Sequence, residues 1–239
     1  RPLPEQNEGS RAAQAAGSYN PTGMPLGSFR LFPVIELDEA YNDNIYATPY
    51  GVPGRTASFI QMVKPSLELR SDWNNHMLNF YALGSFGFYA GNSNANYLDA
   101  SVGLNGRVDI ERDSNIFGAA SFNRRHEDPG TPNVAIGATQ PTRFNQSIAS
   151  VGYFQQFNRL SVRLDGELDN YTYDNNGLGP AQGVMLNSDR DRLELYQVLR
   201  LNYEFSPGYE VWSRAALNQR NYVNVPDSSG FNRNSSGWS

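Results

Sequence analysis

The sequence predicts an all-β fold of long antiparallel strands joined in up-and-down order. Three observations carry this reading. Apolar and polar residues alternate with a period of two over unusually long stretches, the links between these stretches are alternately short and long, and aromatic residues gather near both ends of the stretches.

The clearest element is Leu98 to Glu111. Leu98, Ala100, Val102, Leu104, Val108 and Ile110 share one parity; Asp99, Ser101, Asn105, Arg107, Asp109 and Glu111 share the other. Successive side chains of a strand point to opposite faces, so one face is apolar and the other strongly polar. Wound into a helix, the same residues would form no stripe. The pattern returns at Leu160–Tyr173 and at Arg192–Phe205, where Gln197 interrupts the apolar face. Weaker copies are Phe29–Tyr41, Phe59–Ser71, Met77–Tyr89, Asn115–Arg125, Ser147–Phe157 and Tyr209–Tyr222, giving about nine strands. Each exceeds the five or six residues usual in soluble proteins and suits a tilted crossing of a hydrocarbon layer, which takes about 9–11.

Short turns are expected at Asp72–Asn75, Arg112–Ser114, Asn158 and Ser206–Gly208. Long links are expected at Asn42–Ser58, Ala90–Tyr97, His126–Asn145, Asp174–Asp191 and Val223–Ser236. The two kinds strictly alternate. Transmembrane β-barrels of the bacterial outer membrane have short periplasmic turns and long external loops, whereas a soluble sandwich has no reason to sort its loops by end. The first strand then runs outward, and residues 1–27, rich in Pro, Gly, Ala and Asn, form an extended periplasmic arm ahead of barrel strands over 28–239. Tyr41, Tyr46, Tyr89, Tyr97, Tyr171, Tyr173 and Tyr222 lie near the long links, and Trp73 and Phe157 near the short turns. Such rings fit the two membrane interfaces.

Composition narrows the function classes. Hydrophobic residues make up 39% and aromatics 13%, enough to exclude a disordered tail. Mean hydropathy is nevertheless -0.57 with only 18% charged residues, because Asn, Gln, Ser, Thr and Gly supply the polarity. Lys64 is the single lysine, and a net charge of -5 disfavours a nucleic-acid partner. With no cysteine there is neither disulfide nor thiolate metal site. No run approaches the roughly 18 apolar residues of a membrane helix, which says nothing against a barrel. Nine strands cannot close the even-numbered barrel usual in bacterial single-chain proteins, so the barrel is expected to continue beyond Ser239.

Several blocks resemble a known family. Gly27-Ser28-Phe29-Arg30-Leu31-Phe32-Pro33 and Tyr41-Asn42-Asp43-Asn44-Ile45-Tyr46-Ala47-Thr48 are similar to the opening of the putative β-barrel porin 2 family of proteobacterial outer-membrane proteins. Pro65-Ser66-Leu67, Ser71-Asp72-Trp73, Gly106-Arg107-Val108-Asp109-Ile110, Arg125-His126-Glu127-Asp128 and Ser206-Pro207-Gly208-Tyr209-Glu210 continue the resemblance in order. It implies a porin-like barrel in the outer membrane of about twice this length, with a link to exopolysaccharide export.

The candidate site is the polar face of the strands, read as the lining of a lumen. It presents Glu36, Asp38, Lys64, Glu68, Arg70, Asp99, Arg107, Asp109, Glu111, Arg163, Asp165, Glu167, Asp169, Arg192, Glu194, Arg200, Arg214 and Arg220. Interleaved acids and bases suit a hydrated channel that screens solutes. The alternative is a wall of cross-strand ion pairs in a plugged lumen. His126, Glu127 and Asp128 place a histidine beside carboxylates, but no nucleophile can be placed with them, so no catalytic residue is assigned; His76 is expected to be structural. Asp38, Glu39, Asn42, Asp43 and Asn44, and likewise Asp169, Asn170, Asp174, Asn175 and Asn176, lack calcium-loop spacing and suit local loop bonding. No metal or cofactor is implied.

The expected function is therefore a non-enzymatic, porin-like conduit, with outer-membrane lipid on one side and polar solutes or polysaccharide on the other. The alternative is a structural or interaction barrel that docks a protein partner of the envelope through its loops or arm. Gln61, Gln197 and Gln219, which interrupt the apolar face, suit either a neighbouring barrel or the rim.

Overall fold

The structure is a computed structural model that describes residues 21–129, 131, 134, 140–177 and 184–239; most of the N-terminal arm lies outside the described residues. The strands are β1 (Met24–Leu26), β2 (Phe29–Asn42), β3 (Ser58–Ser71), β4 (Met77–Tyr89), β5 (Tyr97–Glu111), β6 (Ser114–Glu127), β7 (Thr142–Phe157) and β8 (Leu160–Tyr173). They continue with β9 (Asn176–Gly177), β10 (Val184–Met185), β11 (Arg192–Ser206), β12 (Tyr209–Tyr222) and β13 (Ser235–Trp238). All nine long strands read from alternation are present. The structure adds short β1 and β13 at the two sides of the sheet and the β9–β10 ladder within a long link.

One sheet of eleven strands runs β1-β2-β3-β4-β5-β6-β7-β8-β11-β12-β13, with each long strand hydrogen-bonded to the long strands before and after it. Every pairing is antiparallel. The topology is thus the up-and-down meander expected, and the sheet is open rather than closed on itself.

Turn chemistry explains the short ends. At Ser206-Pro207-Gly208-Tyr209, proline presets the first central φ and Gly208 takes the second at φ 81°. Asn158 adopts φ 52°, a left-handed conformation that asparagine tolerates better than most residues. The ladders slip once between Asp109 and Glu111 and once between Glu204 and Ser206, both beside short turns.

Pro65 and Gly84 fit one another inside the sheet. The β3–β4 ladder skips from Val63↔Phe86 to Ser66↔Leu83, because proline has no N–H to donate. A Cβ on Gly84 would lie 3.0 Å from Pro65 Cγ, so glycine makes room for the ring.

The sheet has little interior. Among the described residues the buried apolar side chains are Ile45, Ile60, Ala95, Val134 and Ala216. By contrast Ile35, Leu37, Val102, Leu104, Val108, Leu164, Leu199, Val211 and Leu217 are exposed, all on one face. A soluble sandwich would cover such a face with a second sheet. Among the described residues, no helix is long and apolar enough to cross a membrane.

Candidate functional site: the polar face

Register brings the expected residues onto the opposite face. Glu36 pairs with Lys64, Asp38 with Met62, Glu68 with Tyr81 and Arg70 with Asn79. Asp99 faces Ser85, Arg107 lies between Met77 and Phe117, and Asp109 faces Asn115. Farther along, Arg163 lies between Phe154 and Arg200, Asp165 between Gly152 and Val198, and Glu167 between Ser150 and Tyr196. Asp169 lies between Ile148 and Glu194, while Arg192, Glu194 and Arg200 face Tyr222, Arg220 and Arg214. Glu111 differs. It sits past the bulge, opposite Ser114, whose parity is that of the apolar face, so it belongs to the turn rather than to the rows.

Many charges are paired along their own strand. Arg70 meets Glu68 at 2.6 Å, Arg107 meets Asp109 at 2.8 Å, Arg163 meets Asp165 at 2.8 Å and Arg192 meets Glu194 at 2.6 Å. Residues two apart on a strand share a face, which is what lets them meet. Between strands, Lys64 bridges Glu36 at 3.1 Å and Asp38 at 2.5 Å, and Arg220 reaches Glu194 at 3.0 Å. Most of these pairs are substantially solvated, so each adds little stability, about 0–1 kcal/mol, and mainly orients its side chains. Aromatic rings under the guanidinium groups add to this. Arg70 lies 4.7 Å from the Phe32 ring centre, Arg163 4.7 Å from Phe117 and Arg192 4.0 Å from Tyr171.

A second motif was hidden from the sequence. Tyr81 faces Gly103, Tyr97 faces Gly87 and Phe117 faces Gly152, each pair on adjacent strands and on the polar face. A Cβ on those glycines would lie 2.5 Å, 2.2 Å and 2.2 Å from the opposing ring. The rings therefore lie over the neighbouring backbone instead of projecting away from the wall. Once the register is known, an aromatic opposite a glycine is the signal.

The His126 cluster sits at the long-link end. Its Nδ1 lies 2.9 Å from both Asp99 carboxylate oxygens, its Nε2 lies 3.0 Å from Asp128, and its ring stacks on Tyr97 at 4.0 Å. Strict alternation would place His126 with the apolar parity. The β5–β6 ladder ends at Ala100↔Arg124, however, and beyond it His126 meets polar-face residues. Both ring nitrogens are occupied by carboxylates, an arrangement that fixes the ring rather than aiming it at a nucleophile. The hydrogen bond from His126 holds the pKa of the Asp128 carboxyl below its ordinary value. His76 has the structural role expected: its N–H donates to Asp109, and its Nδ1 accepts from the Asp109 N–H, both at 3.0 Å.

The oxygen-rich loop runs bond locally. Asn42 accepts from the Asn44 N–H, Asn44 from the Thr48 N–H and Asn175 from the Asn187 N–H. Two long links also tie to one another. Asp189 accepts from the Ser228 N–H at 3.0 Å and Asn224 donates to the Ser188 carbonyl at 3.1 Å. Bonds from Ser228 hold the Asp189 carboxyl below its usual range, and the Phe231 N–H does the same to Asp227. Burial pushes Asp191 the other way. Among the described residues, no group of three His, Cys, Asp or Glu side chains is placed to hold a metal ion.

Gln61, Gln197 and Gln219 carry the apolar parity. Gln197 lies between Gly166 and Leu217 in mid-sheet, and Gln219 lies between Leu195 and Ser236. Gln61 lies opposite Glu39 near a long link.

No curated protein and no solved structure matches the chain. The family model described as putative beta-barrel porin 2 matches residues 17–239, the whole of the described sheet. With one apolar face, one charged face and a strictly sequential antiparallel order, the chain belongs to the putative beta-barrel porin 2 family.

Proposed function

We propose that this sheet forms the wall of an outer-membrane barrel, with its charged face toward a hydrated lumen, and that polar solutes cross passively along it. The observation that carries this reading is the single-layer sheet itself: one face is apolar and exposed, and the other holds the solvated ion pairs. Lipid satisfies the first face, whereas water and polar solutes satisfy the second. Backbone groups in the hydrocarbon layer are satisfied only where each strand has partners on both sides, as β3 to β8 and β11 do, whereas β2 and β12 meet only the short β1 and β13 on one side. Lumen lining is accordingly assigned to the residues of the rows above, with Glu111 at the turn.

Within the lumen, Arg and Lys side chains are held by neighbouring carboxylates along and across strands. Such pinned charges keep the passage wet and discriminate solutes by width and local field rather than by one overall sign. Exopolysaccharide, as a hydroxyl-rich polymer, is a solute class compatible with this lining. The test is planar-bilayer conductance of the protein folded into lipid. Steady open steps that scale with salt are expected. A correctly folded barrel without conductance would overturn the conduit and leave the docking alternative.

A further inference from the structure

We infer that Arg163, Arg200 and Arg214 form an oxyanion-binding row on the polar face, a local site for solutes that carry phosphate or carboxylate groups; this rests on the proposed lumen. The three arginines are direct register neighbours on β8, β11 and β12: Arg163 faces Arg200, and Arg200 faces Arg214. Neighbouring strands are about 4.8 Å apart, so three cationic side chains leave the sheet within roughly 10 Å of one another. Like charges placed directly opposite one another disfavour the fold. The arrangement therefore needs counter-charge.

The protein supplies counter-charge unevenly. Arg163 is held by Asp165 through three contacts of 2.8–3.0 Å. Among the described residues, Arg200 and Arg214 form no ion pair. Arg200 donates to Asn202 at 2.9 Å and lies 5.3 Å from the Trp212 ring centre; Arg214 donates to the Tyr196 hydroxyl. These partners are neutral. They aim the two guanidinium groups without cancelling their charge.

A concavity of about 740 Å³ contains all three arginines, together with Phe117, Tyr196 and Glu167. Glu167 faces Tyr196, two rows from Arg200 on the long-link side, and with Asp165 it supplies the carboxylates of the cavity lining. The other cations of the charged rows described above are neutralised. Arg70, Arg107, Arg192 and Lys64 each have a carboxylate within 3.1 Å. A guanidinium presents paired N–H donors whose geometry matches a phosphate or carboxylate. Two guanidinium groups held by neutral partners, side by side and with a third beside them, thus match the oxyanion of a passing solute.

The experiment uses the protein folded into lipid vesicles and reads binding separately from conductance. Equilibrium binding of inorganic phosphate, and of an oligogalacturonate as the carboxylate arm, is measured for the native protein, Arg200→Gln, Arg214→Gln and the double variant. Arg112→Gln, in a short turn, is the control, and heat-modifiable migration confirms folding. Losing a charge-assisted contact weakens binding about tenfold, so the double variant is expected to lose phosphate affinity by tenfold or more while the control does not. Oligogalacturonate affinity falling in parallel identifies shared oxyanion recognition; phosphate affinity alone falling narrows the row to phosphate. Equal phosphate affinity in the folded native and double-variant proteins, or no binding to the native protein, would overturn the inference. Binding lost in the variants of a barrel that never conducts would support the row and refute the conduit instead.

Discussion

Gly152→Ala is expected to destabilise the folded protein, and to do so only while Phe117 is present. The three atoms nearest a Cβ at position 152 all belong to the Phe117 ring, at 2.2, 2.4 and 3.0 Å. A real side chain there must therefore displace the ring. Forcing extra volume into a packed site costs about 1–3 kcal/mol, and moving the ring also weakens its contact with Arg163, worth about 0.5–1 kcal/mol at an exposed site. Alanine restricts the unfolded chain more than glycine and so returns about 0.4–1 kcal/mol. Because the clash is with the far end of a side chain that can swing, the net cost should be about 1–2 kcal/mol. A Phe117→Ala background removes all three of these nearest atoms, and the same substitution should there be neutral or stabilising by about 0.5 kcal/mol. The assay is a double-mutant cycle from denaturant unfolding of the vesicle-inserted protein, followed by tryptophan fluorescence. A coupling energy of about 1–2 kcal/mol is expected for such touching residues. An equal cost of Gly152→Ala in both backgrounds would refute the ring-over-glycine account.

Gly118→Ala should cost more than Gly152→Ala in the same assay, because its methyl group would meet the Ser150 carbonyl oxygen at 2.9 Å and a ladder backbone cannot swing aside. Lys64→Gln should change stability by at most about 1 kcal/mol, since its pairs are solvated, while leaving Glu36 and Asp38 without their shared cation. If the face lines a lumen, the reversal potential in a salt gradient should shift toward cation preference. The contacts between residues 188–189 and 224–228 should loosen in acid. The Asp189 and Asp227 carboxyls titrate lower in the fold than in the unfolded chain, so their contribution is complete above about pH 4 and is lost as pH falls through the folded values. Hydrogen exchange at Ser228 and Phe231 should accelerate on that descent, and Asp227→Asn should abolish the pH dependence at Phe231.

Local chemistry made parts of the site visible without coordinates. In β5, the run from Leu98 to Ile110 assigned faces residue by residue, because a period of two leaves no freedom once the segment is extended. Asp109 and Arg107 could be placed on one face in the same way. Glu111 could not, because a one-residue bulge reverses the relation between neighbouring strands and nothing in Asp109-Ile110-Glu111 announces it. His126 escaped for a related reason: β7 still pairs it, but the β5–β6 ladder ends two residues earlier, and past that end its ring meets Asp99 and Tyr97.

Alternation, turn residues and the sorting of links by length are properties of consecutive residues, so the sequence by itself determined the antiparallel strands, their order and the division into two faces. Which residue stands beside which depends on register between strands far apart in sequence, and only the tertiary structure decided it. Phe117 meets Gly152, and Arg163, Arg200 and Arg214 fall into one row, because each ladder fixes a separate offset set by its turn and by its bulges.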